Sequence, residues 1–343
     1  MSASIYDVAK LANVSIATVS RVLNNSANVS KKKVQAIHAA IQQLNYEPNV
    51  MAKGLAQNVT GLIGLYLPGG GLFGSSDYYI EIFRGILEGL QKTQYSIVLI
   101  IDDNILESAA EVPKYFRYIA QKRIDGLLLN GMDQGTLSAK FKELLYMEFP
   151  VAYIGRRVED KCLNVYAEYS WYTAKVLEYF YSAGHRKIIM PAQNNNEFFL
   201  LRFQECLNEF NEGKEEPMTV YYYMEDKFAV YNEMEEQLMG FIKSGATGIY
   251  FSELSSAERI LSFFAANDIT VPNEMSAIGV EHIPKKGSLL LPEISCFYVP
   301  SFEIGKAAAE MLVAQLNGEN EGQEKERLIF PQYFDRGSLK RIK

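Results

Sequence analysis

Between Ile5 and Leu44 the apolar positions recur every three or four residues in three short runs. In IYDVAKLANV, Ile5, Val8, Ala9 and Ala12 share one helical face. A second run opens at Ser15, a good N-cap, and carries Val19, Val22 and Leu23. A third opens at Ser30 and carries Val34, Ile37, Ile41 and Leu44. Only Asn13-Val14 separates the first two, and Asn tolerates the left-handed backbone that a tight inter-helix turn requires. The pattern predicts a small all-α helix-turn-helix.

From Gly61 onward the period changes. Nine short apolar runs read as strands: GLIGLYLP, YSIVLIID, IDGLLLNG, PVAYIGR, RKIIMPA, MTVYYYM, TGIYFS, MSAIGVE and ISCFYVP. Helical patterns such as Tyr79 to Lys92, Lys114 to Lys122, Tyr172 to Ala183 and Ala257 to Asn267 lie between them. Such alternation predicts parallel sheets covered by helices, and so many strands exceed one comfortable doubly wound sheet. Two α/β subdomains facing each other across a cleft are expected.

Charge divides the chain where the pattern does. Residues 1–58 hold six cations (Lys10, Arg21, Lys31, Lys32, Lys33, Lys53) against Asp7 and Glu47, a net of +4, which leaves -11 for the rest of a chain whose total is -7. A basic head on an acidic body suits a protein whose head alone meets phosphate. Cys162, Cys206 and Cys296 are far apart, as are His38, His185 and His282, so no disulfide framework and no metal site is expected. No nucleophile–base constellation points to an enzyme, and no cofactor is implied. The N-terminus has no apolar run of signal-peptide length, and no segment reaches the ~18–20 apolar residues of a membrane span, which points to a cytoplasmic protein.

The helix in VSIATVSRVLN puts its apolar side chains on one face and Ser15, Ile16, Ala17, Thr18, Ser20 and Arg21 on the other. A recognition helix lies in a major groove about 12 Å wide and needs side chains short enough to reach base edges. Ile16 and Ala17 can touch thymine methyls, Arg21 can fork onto guanine, and the hydroxyls can bond bases or phosphates. A three-helix bundle with a merely solvated polar face is the competing reading.

DVAKLANVSIATVSRVLNNSANVS followed by YEPNVMAKGLA closely resembles the DNA-binding headpiece of the lactose/galactose repressor (LacI/GalR) family. The resemblance implies a headpiece over 1–48, a hinge over 49–60 that folds on an operator, and an effector-binding and dimerisation core over 61–343. Pro48 blocks continuation of the third helix, Leu55 matches the family's minor-groove wedge, and Asn24, Asn49 and Lys53 join the expected DNA contacts. Lys53 stands where the family usually has arginine, which keeps the charge and loses the fork.

PVAYIGR, AGHRKI, ANDITVPNEMSAIGVEHIP and VPSFEIGKAAAEML extend the resemblance over nearly the whole chain and imply a periplasmic-binding-protein-like core of two parallel-sheet subdomains. Crossovers are expected near 158, 286 and 322, with the ISCFYVP strand returning to the first subdomain. Matched residue by residue, the effector would meet Gly71, Asp77, Tyr79, Arg156, Arg202, Glu253 and Glu281. A guanidinium and carboxylates can grip vicinal hydroxyls while a tyrosine stacks on a sugar face. The sequence also departs from the family: Gly155 stands where an aspartate is frequent, Glu253-Leu254 where Asn-Asp is common, Glu168-Tyr169 where Asp-Asn is common, and Glu281 replaces an aspartate. These changes reshape the pocket, and a competing reading makes Arg202 and Glu281 a structural ion pair.

PGGG at Pro68 to Gly71 lacks a phosphate-loop pattern, YYIEIF reads as core or dimer surface, His185 reads as orienting a turn, and GENEGQEKE reads as a solvated loop. The resulting expectation is a homodimeric repressor of carbohydrate-use genes that reads a near-palindromic operator in double-stranded DNA and answers to a sugar or sugar phosphate. Two alternatives stand beside it: a catabolite-control regulator with a phosphorylated carrier protein as corepressor, and a sugar receptor or enzyme on the same fold.

Overall fold

The computed structural model describes residues 3–23, 29–46, 59–68, 76–102, 112–130, 139–158, 161–193, 197–225, 231–319 and 324–342. They form two compact units, Met1–Gly61 and Leu62–Lys343.

The first unit packs α1 (Ile5–Leu11), α2 (Ile16–Leu23) and α3 (Lys31–Leu44) around Val8, Ala9, Val19, Val22, Ile37 and Ala40. Ser4 and Asp7 close α1 with reciprocal bonds: Ser4 Oγ accepts from the Asp7 amide at 3.3 Å, and Asp7 accepts from the Ser4 amide at 2.9 Å. Asn13 turns the chain with φ 52°, and Asn45 ends α3 with φ 45°. Asn thus takes the left-handed position on both occasions. The hinge residues 49–58 lie outside the described residues.

The second unit holds two six-stranded sheets. β1 (Leu62–Pro68), β2 (Ser96–Asp102), β3 (Gly126–Asn130), β4 (Val151–Ile154), β5 (Leu163–Tyr166) and β11 (Glu326–Leu328) form the first, in the order β11-β5-β4-β3-β1-β2, all parallel. The second is β12-β10-β9-β8-β6-β7, from β6 (Lys187–Gln193), β7 (Thr219–Glu225), β8 (Gly248–Phe251), β9 (Ser276–Glu281), β10 (Ser295–Tyr298) and β12 (Gln332–Phe334), with only β12 antiparallel. Helices α4 (Asp77–Leu90), α5 (Lys114–Ala120) and α6 (Ala139–Tyr146) connect strands of the first sheet. α7 (Tyr169–Ser182), α8 (Glu197–Asn211), α9 (Tyr231–Lys243) and α10 (Ala257–Ala266) serve the second, and α11 (Ser301–Leu316) follows β10.

Two expectations are corrected by this topology. The ISCFYVP strand is β10 of the second sheet, paired with β9 at Ser295 and Ile278, so it does not return to the first. The helix after it, α11, does return, laying Leu312 and Leu316 over Gly126, and β11 follows in the first sheet. The crossovers accordingly fall at 167–168, 299–300 and 329–331 rather than near 158, 286 and 322. The first shift arises because β5, a four-residue strand, still belongs to the first sheet.

Helix α11 sits on α4 at glycine contacts. A Cβ at Gly85 would lie 1.9 Å from the Phe302 carbonyl oxygen, and one at Gly305 would lie 2.1 Å from that of Ile82. No side chain fits there, and the two helices pack backbone against backbone. At the third crossover Trp171 of α7 packs edge-on against Phe330, with ring centroids 6.1 Å apart, and against Phe297 of β10 at 6.4 Å.

Candidate nucleic-acid interface and effector cleft

Helix α2 starts on Ser15, whose hydroxyl accepts from the Thr18 amide at 3.2 Å and pairs with the Thr18 hydroxyl at 2.8 Å. One of the expected DNA-contacting hydroxyls, that of Ser15, therefore also caps the helix, and a second, that of Thr18, is bonded to it. Val19 and Val22 are buried against the other helices, whereas Ile16, Ala17 and Arg21 are exposed and Thr18 and Ser20 half-buried. The first turn of α2 has no acidic side chain, and α3 opens on the exposed Lys31, Lys32 and Lys33 with no acid beside them. Helix N-termini normally attract carboxylates; left bare or cationic, they suit phosphate. Asn24, Asn49, Lys53 and Leu55 lie outside the described residues.

Tyr6 was not singled out by the sequence pattern. It is 69% exposed on α1, on the side away from the buried Val8 and Ala9. A large aromatic ring at a position the helical period leaves outward was the available signal.

In the second unit the C-terminal ends of the two sheets carry the cleft residues. Asp77 opens α4 and accepts from Lys286 Nζ at 2.5 Å; Ser76, its neighbour, donates to Glu253 Oε1 at 2.7 Å. Tyr79, partly buried, has its phenol pushed up to about 12 by burial and by the Glu253 charge. Tyr172 feels both the Arg202 guanidinium and Glu253, and burial, the largest cause, raises its phenol well above the usual tyrosine range. Arg202 stacks 4.8 Å from the Tyr169 ring centroid, and Tyr169 meets Tyr172 and Phe199 edge-on at 5.3 Å each. Tyr79, Glu253, Tyr172, Arg202 and Tyr169 thus form one aromatic and charged group, with Asp77 beside it. Arg156 ends β4 with its guanidinium 5.9 Å from the Tyr153 ring. Gly71 lies outside the described residues.

Glu281 does not face this group. It is 1% exposed, and its two oxygens are taken by Arg336 Nη2 at 2.8 Å and the Gly287 amide at 2.7 Å. Its expected effector contact is therefore corrected to an internal one, and the structural ion pair is with Arg336 rather than Arg202. Arg336 also donates to the Ile294 carbonyl at 2.7 Å and ties the C-terminal segment to the second sheet. Fifty-five positions separate the two residues, so no local spacing signals the pair.

Three further residues complete the cleft floor. Tyr78 donates to Asn130 Oδ1 at 3.0 Å and lies edge-on to His282, centroids 5.4 Å apart. Gly155, with φ +108°, leaves the space; a Cβ there would sit 2.9 Å from the Tyr78 hydroxyl. The position where the resemblance implies an aspartate is thus filled from across by a tyrosine. His282 Nδ1 pairs with the Ser301 hydroxyl at 2.8 Å, and burial lowers its pKa to about 4. His185 lies between Thr247 Oγ1 at 2.8 Å and the Lys340 carbonyl at 3.0 Å, in a turn-bracing position.

A three-helix basic head with an outward-facing second helix, followed by two parallel sheets with polar groups at their C-terminal ends, defines a ligand-responsive DNA-binding regulator. Residues 4–49 match the bacterial regulatory proteins of the lacI family, and residues 177–339 match a periplasmic binding protein-like domain. The chain is thus similar to lacI-family regulators in both its helical head and its core. It is 26% identical over 323 residues to the ribose operon repressor of Halalkalibacterium halodurans, covering 91% of this chain and 90% of the relative. To catabolite control protein A of Staphylococcus xylosus it is 25% identical, covering 93% and 94%. Its fold is similar to the lac repressor dimer bound to operator and the anti-inducer ONPF, with TM-score 0.77, 19% identity, and 99% and 100% of the two chains covered. The protein is a DNA-binding transcription regulator. No helix among the described residues is long and apolar enough to cross a membrane.

Proposed function

We propose that the protein is a homodimeric repressor of carbohydrate-use genes, that each headpiece reads half of a near-palindromic operator, and that a sugar-like effector in the core cleft controls it. The face of α2 carries this reading: Ile16, Ala17 and Arg21 are exposed on a helix whose opposite side is buried. Two-fold protein symmetry imposes two-fold symmetry on the site. Exposed Ile80 and Leu87 on α4 and Leu99 and Ile101 on edge strand β2 offer apolar surface for a second copy. The effector contacts proposed are Asp77, Tyr79, Arg156, Arg202 and Glu253, with Tyr169 and Tyr172 as aromatic walls. An effector rich in hydroxyls suits this mixture, because carboxylates accept from vicinal hydroxyls, guanidinium groups donate to them, and rings cover the apolar sugar face.

The carrier-protein alternative needs free cations to fork a phosphoserine. Lys286, one of the two lysines in HIPKKGSLLLP, is bonded to Asp77 instead. Selection of bound sites from a random DNA library, repeated with a panel of sugars and sugar phosphates, tests the whole reading. A palindrome whose affinity moves with one compound supports it. A palindrome that no compound moves transfers the regulation to a protein partner, and the absence of any selected palindrome overturns the repressor reading.

A further inference from the structure

Two side-chain links cross the cleft at the N-terminal end of α4. Ser76 and Asp77 follow β1 of the first sheet, while Glu253 follows β8 and Lys286 follows β9 of the second. The Ser76 hydroxyl reaches Glu253 at 2.7 Å and Lys286 reaches Asp77 at 2.5 Å. Neither is a surface pair of the weak kind: Ser76 is 3% exposed, and the Lys286 and Asp77 side chains are 27% and 18% exposed, so water and salt screen them little.

A third contact lies behind them. Tyr78, on the same turn of α4, anchors its hydroxyl on Asn130 of the first sheet and rests its ring against His282 at the end of β9. Consecutive residues 76, 77 and 78 therefore each touch the second sheet's half. Separating the halves breaks all three contacts together, because α4 is held rigidly against α11 at Gly85 and Gly305. Such grouping produces two discrete arrangements rather than a graded opening.

We propose that these contacts are a built-in latch: the core closes on itself without an effector, and an effector acts by taking over Asp77 and Glu253 and so releasing it. The groups assigned to the effector are the same groups that hold the latch, so occupancy by one excludes the other. That competition rests on the cleft reading above, whereas self-closure does not, and it can be measured with neither effector nor DNA present.

The test uses the full chain with spin labels at Lys142→Cys and Glu258→Cys, exposed positions on α6 and α10 on opposite sides of the cleft. Distances between the labels are read by double electron–electron resonance without any ligand. The unaltered latch gives one short, narrow distance. Ser76→Ala with Asp77→Asn adds a longer one, and the closed-to-open ratio falls at least about tenfold, the size expected for lost hydrogen bonds to charged groups. The swap Asp77→Lys with Lys286→Asp restores much of the short distance. If the double variant does not fold, as circular dichroism reports, Glu253→Gln keeps the side-chain volume and is read the same way. A latch variant that superimposes on the parent, or a parent that is already mainly long, overturns the proposal.

Discussion

Replacing Arg336 by Met is expected to damage the core more than any surface substitution. The guanidinium is 8% exposed and the Glu281 side chain it pairs with is fully buried. Its removal leaves that carboxylate with the Gly287 amide as its remaining bonded donor and leaves the Ile294 carbonyl with only the weak Cys296 thiol donor. Breaking a buried ion pair from one side typically costs about 3–5 kcal/mol, because a buried charge is left uncompensated. At roughly 2–4 °C per kcal/mol for a body of this size, the core's thermal midpoint drops by about 10 °C. Removing both charges is different: Glu281→Gln with Arg336→Met keeps the shapes and leaves no stranded charge, so the double variant recovers about half of the loss or more. Differential scanning calorimetry of the four members of this cycle gives the coupling directly. If Arg336→Met costs less than about 1 kcal/mol, or the double variant is as damaged as the sum of the singles, the pair does not hold the C-terminal segment as described.

Three other outcomes are expected. His282 is neutral in the fold with a pKa near 4, against 6.5 for an ordinary histidine, so the unfolded chain binds the extra proton between those values. Its contribution is intact above pH 6.5, is lost as pH falls toward 4, and amounts to about 3 kcal/mol; His282→Asn flattens the urea-unfolding profile across that window. Arg21→Ala weakens operator binding by about 1–3 kcal/mol and relaxes the preference at one base-pair position, checked by competition titration of operator variants. Leu55→Ala lowers specific binding while sparing nonspecific binding, and equal losses in a gel-shift comparison would remove the wedge assignment.

The headpiece was legible because its period is local: Ser15, Val19 and Val22 lie within one helix, and Asn13 marks its own turn. The two-sheet core was legible for the same reason, through nine apolar runs. The placement of ISCFYVP was not, since a buried strand looks alike in either sheet and its partner Ile278 is chosen by tertiary packing. Strands β11 and β12, three residues each at sheet edges, are too short to carry a period. At the cleft, family matching named Asp77 and Glu253, yet their partners Lys286 and Ser76 lie 209 and 177 positions away. Glu281 was misassigned because a strand-end carboxylate reads the same whether it points to a ligand or to Arg336.

Trp171 is the chain's single tryptophan, and it rests on Phe297 of the second sheet and on Phe330 of the crossing segment between sheets. It is 39% exposed, so its indole samples both aromatic neighbours and water. A rotation of one half against the other slides Phe330 past that ring. The molecule consequently carries its own optical gauge: a shift in indole emission reports the angle between halves in unlabelled protein, from a ring that is not itself one of the latch contacts.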